Sequence, residues 1–228
     1  MQSVYPTSSP GITSTYTVKH PSGVSGAFRF SGRLRGQSYL GSYCISDPLS
    51  GTVSESSNPY FYVNALVQRE LSGPGMANAL WTYTYEVAYA SVTRNCPGTS
   101  CQSSTYTDVN DPTGDLTRYI HSSRYGAIQG KLLRSEVYNP SAQLQRAEEV
   151  TYNYAESDMP FPATFGNSLY VSDPAFASEN LVVVRKKVIT QQGRSFTWDV
   201  PSGCAGGLTG YCFDLYGRPT KTIKSSAP

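Results

Sequence analysis

The stretch Cys212-Phe213-Asp214-Leu215-Tyr216-Gly217-Arg218-Pro219-Thr220 reads as two strand ends and the turn between them. Asp favours the first position of a type I turn, and Gly tolerates the left-handed conformation that closes it. The same grammar recurs upstream. His20-Pro21-Ser22-Gly23 and Asp111-Pro112-Thr113-Gly114 carry Pro second, where its fixed φ presets the backbone, and Gly fourth. Asn139-Pro140-Ser141-Ala142 is a worn copy without its Gly.

Strand patterns flank these turns. Thr13 to Lys19 and Val24 to Phe30 form a hairpin across His20 to Gly23, with Tyr16 and Val18 on one face and Thr15 and Thr17 on the other. Gly32 to Ser57, crowded with Gly, Ser and Asp-Pro, admits only short strands, around Ser38 to Ile45. Tyr60 to Glu70 is the next strand, closed by Ser72-Gly73-Pro74-Gly75. Trp81, Tyr83, Tyr85, Val87 and Tyr89 then alternate with Thr82, Thr84, Glu86 and Ala88, which predicts a strand with one packed aromatic face. Thr105 to Val109 and Leu116 to His121 pair around Asp111 to Gly114. Lys131 to Tyr138 and Gln143 to Tyr154 pair around Asn139 to Ala142, with Val150, Tyr152 and Tyr154 on one face. Leu181 to Thr190 and Ser195 to Val200 flank Gln191-Gln192-Gly193-Arg194. Almost no helical pattern interrupts this rhythm, which predicts an all-β antiparallel hairpin array.

Three sections follow: a mobile Ser/Pro-rich arm over residues 1–12, a β-rich section over 13–75, and a hairpin array over 76–228. A Pro-rich connecting loop over about 156–180, with Pro160, Pro162 and Pro174, breaks the array.

Composition suits such an architecture. Among 228 residues there are 18 Tyr, 20 Gly and 15 Pro, and charged residues are only 15%. A net charge of +2 gives no concentrated basic field, so neither nucleic acid nor an anionic membrane is expected as a partner. The basic cluster Arg185-Lys186-Lys187 lies between Leu181-Val182-Val183-Val184 and Val188-Ile189, as expected of a strand with charges on its solvent face or edge. No segment approaches the ~18 apolar residues a membrane helix needs. The first residues have neither the basic nor the apolar region of a signal peptide.

Five cysteines form two close pairs and a singleton, Cys44. Cys96 and Cys101 bracket a Pro-Gly turn, and Cys204 and Cys212 bracket a looser Gly-rich loop. Two local disulfides, reduced thiols and a shared zinc site all fit these positions, though neither pair has the two-residue spacing of a zinc knuckle.

Catalytic signals are few. His20 precedes a Pro in a turn and His121 ends a strand. Gly23-Val24-Ser25-Gly26-Ala27 fails the nucleophile-elbow pattern at its last position, and no phosphate-binding glycine motif occurs. The acidic run Asp108 to Asp115 places Pro112 and Thr113 where a calcium loop needs an oxygen ligand and a Gly, and so reads as a solvated turn. No enzyme activity and no cofactor are expected.

Phe213-Asp214-Leu215-Tyr216-Gly217-Arg218-Pro219-Thr220 resembles the YD-repeat motif of RHS (rearrangement hot spot) proteins: an aromatic residue, Asp, two variable residues, then Gly-Arg. Thr117-Arg118-Tyr119, Arg124-Tyr125-Gly126 and Gly130-Lys131-Leu132-Leu133-Arg134-Ser135-Glu136-Val137-Tyr138 are similar to an RHS segment in which a strand pair leads to another strand. So is His20-Pro21-Ser22-Gly23 running into Gly26-Ala27-Phe28-Arg29-Phe30. The resemblance covers roughly residues 15 to 35 and 80 to 224. It implies hairpins joined side by side in a curved, shell-like sheet that encloses a C-terminal toxin or effector. The partners would be neighbouring YD repeats and the enclosed domain, and the place would be secreted or cell-envelope associated, within a larger protein. The residues implied are structural: Asp214, Gly217 and Arg218 at the turn, Phe213 and Tyr216 packing beside it, and Arg124, Tyr125 and Gly126 at the equivalent bend. Asp111-Pro112-Thr113-Gly114 matches four positions of the Asp-Pro-x-Gly-Leu motif at which RHS cores release their toxin. Asp115 replaces the Leu and repeats follow, so Asp111 and Gly114 are read as turn residues.

A different reading makes the chain an extracellular carbohydrate- or protein-binding sheet. Trp81, Tyr83, Tyr85, Trp198 and Tyr211 would then be its stacking residues.

Overall fold

The computed structural model describes residues 11, 13–40, 42–47, 51–56, 59–91, 101–154, 182–204, 210–214 and 216–228, with backbone alone for 42–47 and 51–56. The described residues form thirteen strands and no helix. They are β1 (Thr13–Lys19), β2 (Ser25–Gly36), β3 (Ser42–Asp47), β4 (Gly51–Ser56), β5 (Tyr60–Gly73), β6 (Met76–Tyr85), β7 (Ser104–Asn110), β8 (Leu116–Ser122), β9 (Leu132–Tyr138), β10 (Leu144–Asn153), β11 (Val183–Gln191), β12 (Arg194–Asp199) and β13 (Ile223–Ala227). Eleven of them belong to one sheet in the order β1-β2-β5-β6-β7-β8-β9-β10-β11-β12-β13, and β3-β4 make a separate ribbon. The pairings are antiparallel. The fold is thus the all-β hairpin array that the turn grammar predicts. The expected arm over 1–12, apart from Gly11, and the expected loop over 156–180 lie outside the described residues.

Two compact units are distinguishable, Met1–Arg118 with Asn139–Ala142, and Tyr119–Tyr138 with Gln143–Pro228. In the first, directly opposed residues share a sheet face and build cross-strand rows. Tyr16, Phe28, Arg69 and Trp81 form one row, and Val18, Gly26, Leu71 and Ala79 the next. Gly26 is buried, and a Cβ there would lie 3.1 Å from the Phe28 ring and 3.2 Å from Leu71. Bare backbone at this point lets the larger side chains close over the strand.

Strand lengths depart from the expected ones. β2 and β5 run on through Gly32, Gly36 and Gly73, because a long mutual ladder offsets the weak strand preference of glycine. β6 ends at Tyr85, short of the alternation that reaches Tyr89, and Val87 is 87% exposed. Here the chain leaves its strand ladder. Ser91 N–H bonds to Gln37 C=O and Leu40 N–H to Ser91 C=O, both at 3.1 Å.

In the second unit β11 is an inner strand between β10 and β12, so the basic cluster is not on an edge. Register slips between Thr151 and Tyr152, which oppose Lys186 and Val184 and leave Arg185 as the extra residue of a bulge. A small core gathers Val200, Cys212 and Phe213, with Val183, Trp198, Cys204 and Tyr211 packed against it. Between β12 and β13 the described residues make an excursion from the ladder. The final turn is therefore not a hairpin of two strands: Phe213 and Pro219 make an isolated bridge, and β13 returns to pair with β12.

Candidate functional site

Four turns share one construction. In each the fourth residue has a left-handed backbone: φ is 89° at Gly23, 88° at Gly114, 57° at Ala142 and 75° at Gly217. Its amide bonds to the carbonyl of the first residue, with distances of 2.9 Å to His20, 3.1 Å to Asp111, 2.9 Å to Asn139 and 3.1 Å to Asp214. The side chain of that first residue accepts the amide of the third. His20 Nδ1 accepts from Ser22 at 3.2 Å, Asp111 Oδ1 from Thr113 at 2.8 Å, Asn139 Oδ1 from Ser141 at 3.1 Å and Asp214 Oδ1 from Tyr216 at 2.9 Å. This is a type I turn closed by a left-handed residue, a common connection of three-residue hairpin loops. A His, an Asp or an Asn serves equally because each offers an acceptor at the right reach.

The Asp214 turn carries further bonds. Arg218 N–H reaches Asp214 Oδ1 at 2.9 Å, and Arg218 Nε reaches Oδ2 at 2.6 Å while the guanidinium lies 5.2 Å from the Tyr216 ring centroid. Partial burial works to raise the pKa of Asp214. The hydrogen bonds from Arg218 and Tyr216 outweigh it and hold the carboxyl below its ordinary value. Asp111 is likewise depressed, first by the Thr113 hydroxyl at 2.7 Å and then by backbone amides of Thr113, Asp115 and Gly114.

Neighbouring turns abut. A Cβ at Gly23 would sit 3.1 Å from the Pro74 ring of the β5–β6 turn, and one at Gly114 would sit 3.6 Å from the Pro140 ring. Arg124, Tyr125 and Gly126 stand at a bend of another kind: Gly126 has φ 122°, its carbonyl accepts from Gln129 N–H at 3.1 Å, and Gly130 N–H returns to Ser122 C=O at 2.9 Å.

Cys204 and Cys212 form a disulfide with Cα atoms 5.2 Å apart. Cys101 is also disulfide-bonded, and Cys96 lies outside the described residues. Among the described residues no cluster of three or more His, Cys, Asp and Glu is placed to hold a metal, and no helix is long and apolar enough to cross a membrane.

Several aromatic rings are capped by arginines, a feature the sequence pattern does not reveal because it depends on how separate segments pair. Arg69 lies 3.7 Å from the Trp81 ring centroid, Arg35 4.9 Å from that of Tyr85, Arg118 4.3 Å from that of Tyr106 and Arg185 4.8 Å from that of Tyr211. Arg118 also grips Asp108 with two bonds of 2.7 and 2.8 Å. Tyr85 donates its hydroxyl to Leu66 C=O at 2.6 Å, and burial raises its pKa. Trp198 packs on the Val200 core. Comparison with family models, curated proteins and solved structures finds no match.

Proposed function

We propose that the chain is a structural section of an RHS/YD-repeat shell that encloses and helps deliver a C-terminal toxin or effector, and that it performs no catalysis itself. The observation that carries this reading is the sheet order: apart from the β3-β4 ribbon, each strand is followed in the sheet by the next in the chain. Such an array grows by adding hairpins sideways and needs no closed interior of its own. Its apolar residues fit that role. Tyr16 and Val18 are 58% and 63% exposed, and the buried hydrophobic side chains among the described residues are few. The neighbouring repeats and cargo would supply what the sheet leaves uncovered.

The turn residues Asp214, Gly217 and Arg218, and their counterparts Asp111 and Gly114, are then corners of the wall. The Cys204–Cys212 disulfide suits an oxidising, extracytoplasmic place. A carbohydrate-stacking module is the weaker reading, since guanidiniums occupy the ring faces of Trp81, Tyr85 and Tyr211.

Sedimentation of the isolated chain tests the wall. Open sheet edges promote strand addition, so concentration-dependent self-association is expected, reduced by Tyr16→Lys and Val18→Lys on the first strand. A monomer at all concentrations that binds a glycan saturably on an array would overturn the proposal.

A further inference from the structure

The described arginines differ in the partners they meet. Arg118, Arg134, Arg146, Arg185 and Arg218 each meet a carboxylate. Arg33 and Arg35 make no ion pair among the described residues. Both are partly buried, and both converge on one ring, with guanidinium carbons 6.0 and 4.9 Å from the centroid of Tyr85. They stand two residues apart on β2, which places them about 6.6 Å apart on one side of the strand.

Partly desolvated cations without a counter-ion are unfavourable, and two side by side repel. Their donors are also under-used. The Nε–H of Arg33 is shut away from solvent and meets no acceptor among the described residues. Arg35 reaches Thr105 Oγ1 at 3.5 Å, the long limit for a hydrogen bond. Glu86 attracts Arg35 from beyond ion-pair range, and its Oε2 already accepts the Tyr106 amide at 3.1 Å. Each guanidinium offers five donors in a planar fork, the shape that matches an oxyanion. The ring beneath them is fixed by its bond to Leu66 C=O.

We propose that Arg33 and Arg35, on the platform of Tyr85, bind an oxyanion: a carboxylate, sulfate or phosphate group, either free or carried on an acidic peptide. An oxyanion at this point would relieve the repulsion and gain charge-assisted bonds from the guanidiniums in a partly desolvated setting.

Titration calorimetry of the full chain tests the site. Sodium phosphate, sodium sulfate and a hexaglutamate peptide are the probes, with sodium chloride holding ionic strength constant. Saturable binding is expected with the wild type and with Arg29→Gln, an exposed neighbour on the same strand. Affinity should fall about tenfold or more in the Arg33→Gln/Arg35→Gln double variant, as the loss of charged hydrogen bonds predicts. Tighter binding of the peptide than of the free ions would identify an acidic chain as the ligand, and equal binding a free oxyanion. Absence of saturable binding by all three probes, or an unchanged affinity in the double variant, would overturn the proposal. Should circular dichroism show the double variant unfolded, Arg33→Lys decides: it keeps the charge and loses the fork, so unaltered affinity would be equally fatal.

Discussion

Ala142 occupies the left-handed position that Gly23, Gly114 and Gly217 fill in the sister turns. A side chain there costs about 1–2 kcal/mol, whereas the extra freedom of Gly in the unfolded chain costs about 0.4–1 kcal/mol. The first effect is larger, so Ala142→Gly should raise stability by roughly 0.5–1 kcal/mol in urea unfolding. Gly217→Ala should lower it by a similar or greater amount. Charge at these corners gives a second expectation. The carboxyls of Asp111 and Asp214 are depressed below 3.8 in the folded chain, so the stability they add is present above that value and is lost as pH falls through the folded pKa. Melting temperature measured down to pH 2 should fall less steeply when both are replaced by Asn. Asn139 already shows that an amide can accept the turn's backbone bonds. At this scale the sequence was highly legible, because turn chemistry is local: first residue, Pro and Gly dictate the geometry within four positions. The missing Gly at 142 was visible as well. Arg33 and Arg35 were not, since nothing in a single strand announces that both will converge on a ring from β6.

Strands and their pairing were legible in kind and less so in extent. Strand and turn patterns placed β1, the Trp81 to Tyr85 part of β6, β7, β8, β9 and β12, but alternation alone could not show that the chain leaves the ladder after Glu86, with Ser91 bonding to Gln37 and Leu40. That departure depends on Gly36. A Cβ at Gly36 would collide with the backbone carbonyl of Tyr89, and backbone yields less readily than a flexible side chain. Gly36→Ala is therefore expected to cost about 1–3 kcal/mol, measured by chemical denaturation. The bulge at Arg185 was hidden for the same reason. It arises from the match between β10 and β11, and it turns the Arg185 guanidinium toward Asp199, at 3.5 Å, and toward Tyr211. In the closing stretch the turn was readable while the strands around it were not. Burial of Cys212 and Phe213 against Val200 keeps that segment off the ladder.

For the molecule as a whole, all-β architecture followed from repeated turn signals, whereas the order of strands needed the structure. Among the described residues the core at the last excursion is small, Val200, Cys212 and Phe213, and the disulfide reinforces it. Closing a loop of this size contributes about 2.5 kcal/mol through the unfolded state, and Cys212 is in addition fully buried. Reduction under native conditions should thus lower the melting temperature and expose Val200, Phe213 and their neighbours to an apolar dye. An unchanged melt after verified reduction would show the bond to be dispensable.

The position of that cystine also bears on how the chain would respond to force. Tension applied from its C-terminal end would first peel away the five residues of β13, whose ladder with β12 opens one rung at a time. Next it would undo the Asp214 corner and arrive at Cys212, where the load crosses through sulfur to Cys204 and bypasses the residues between them. The loop that the two sulfurs close would accordingly stay shut under such tension, and would open to a reductant and not to pulling.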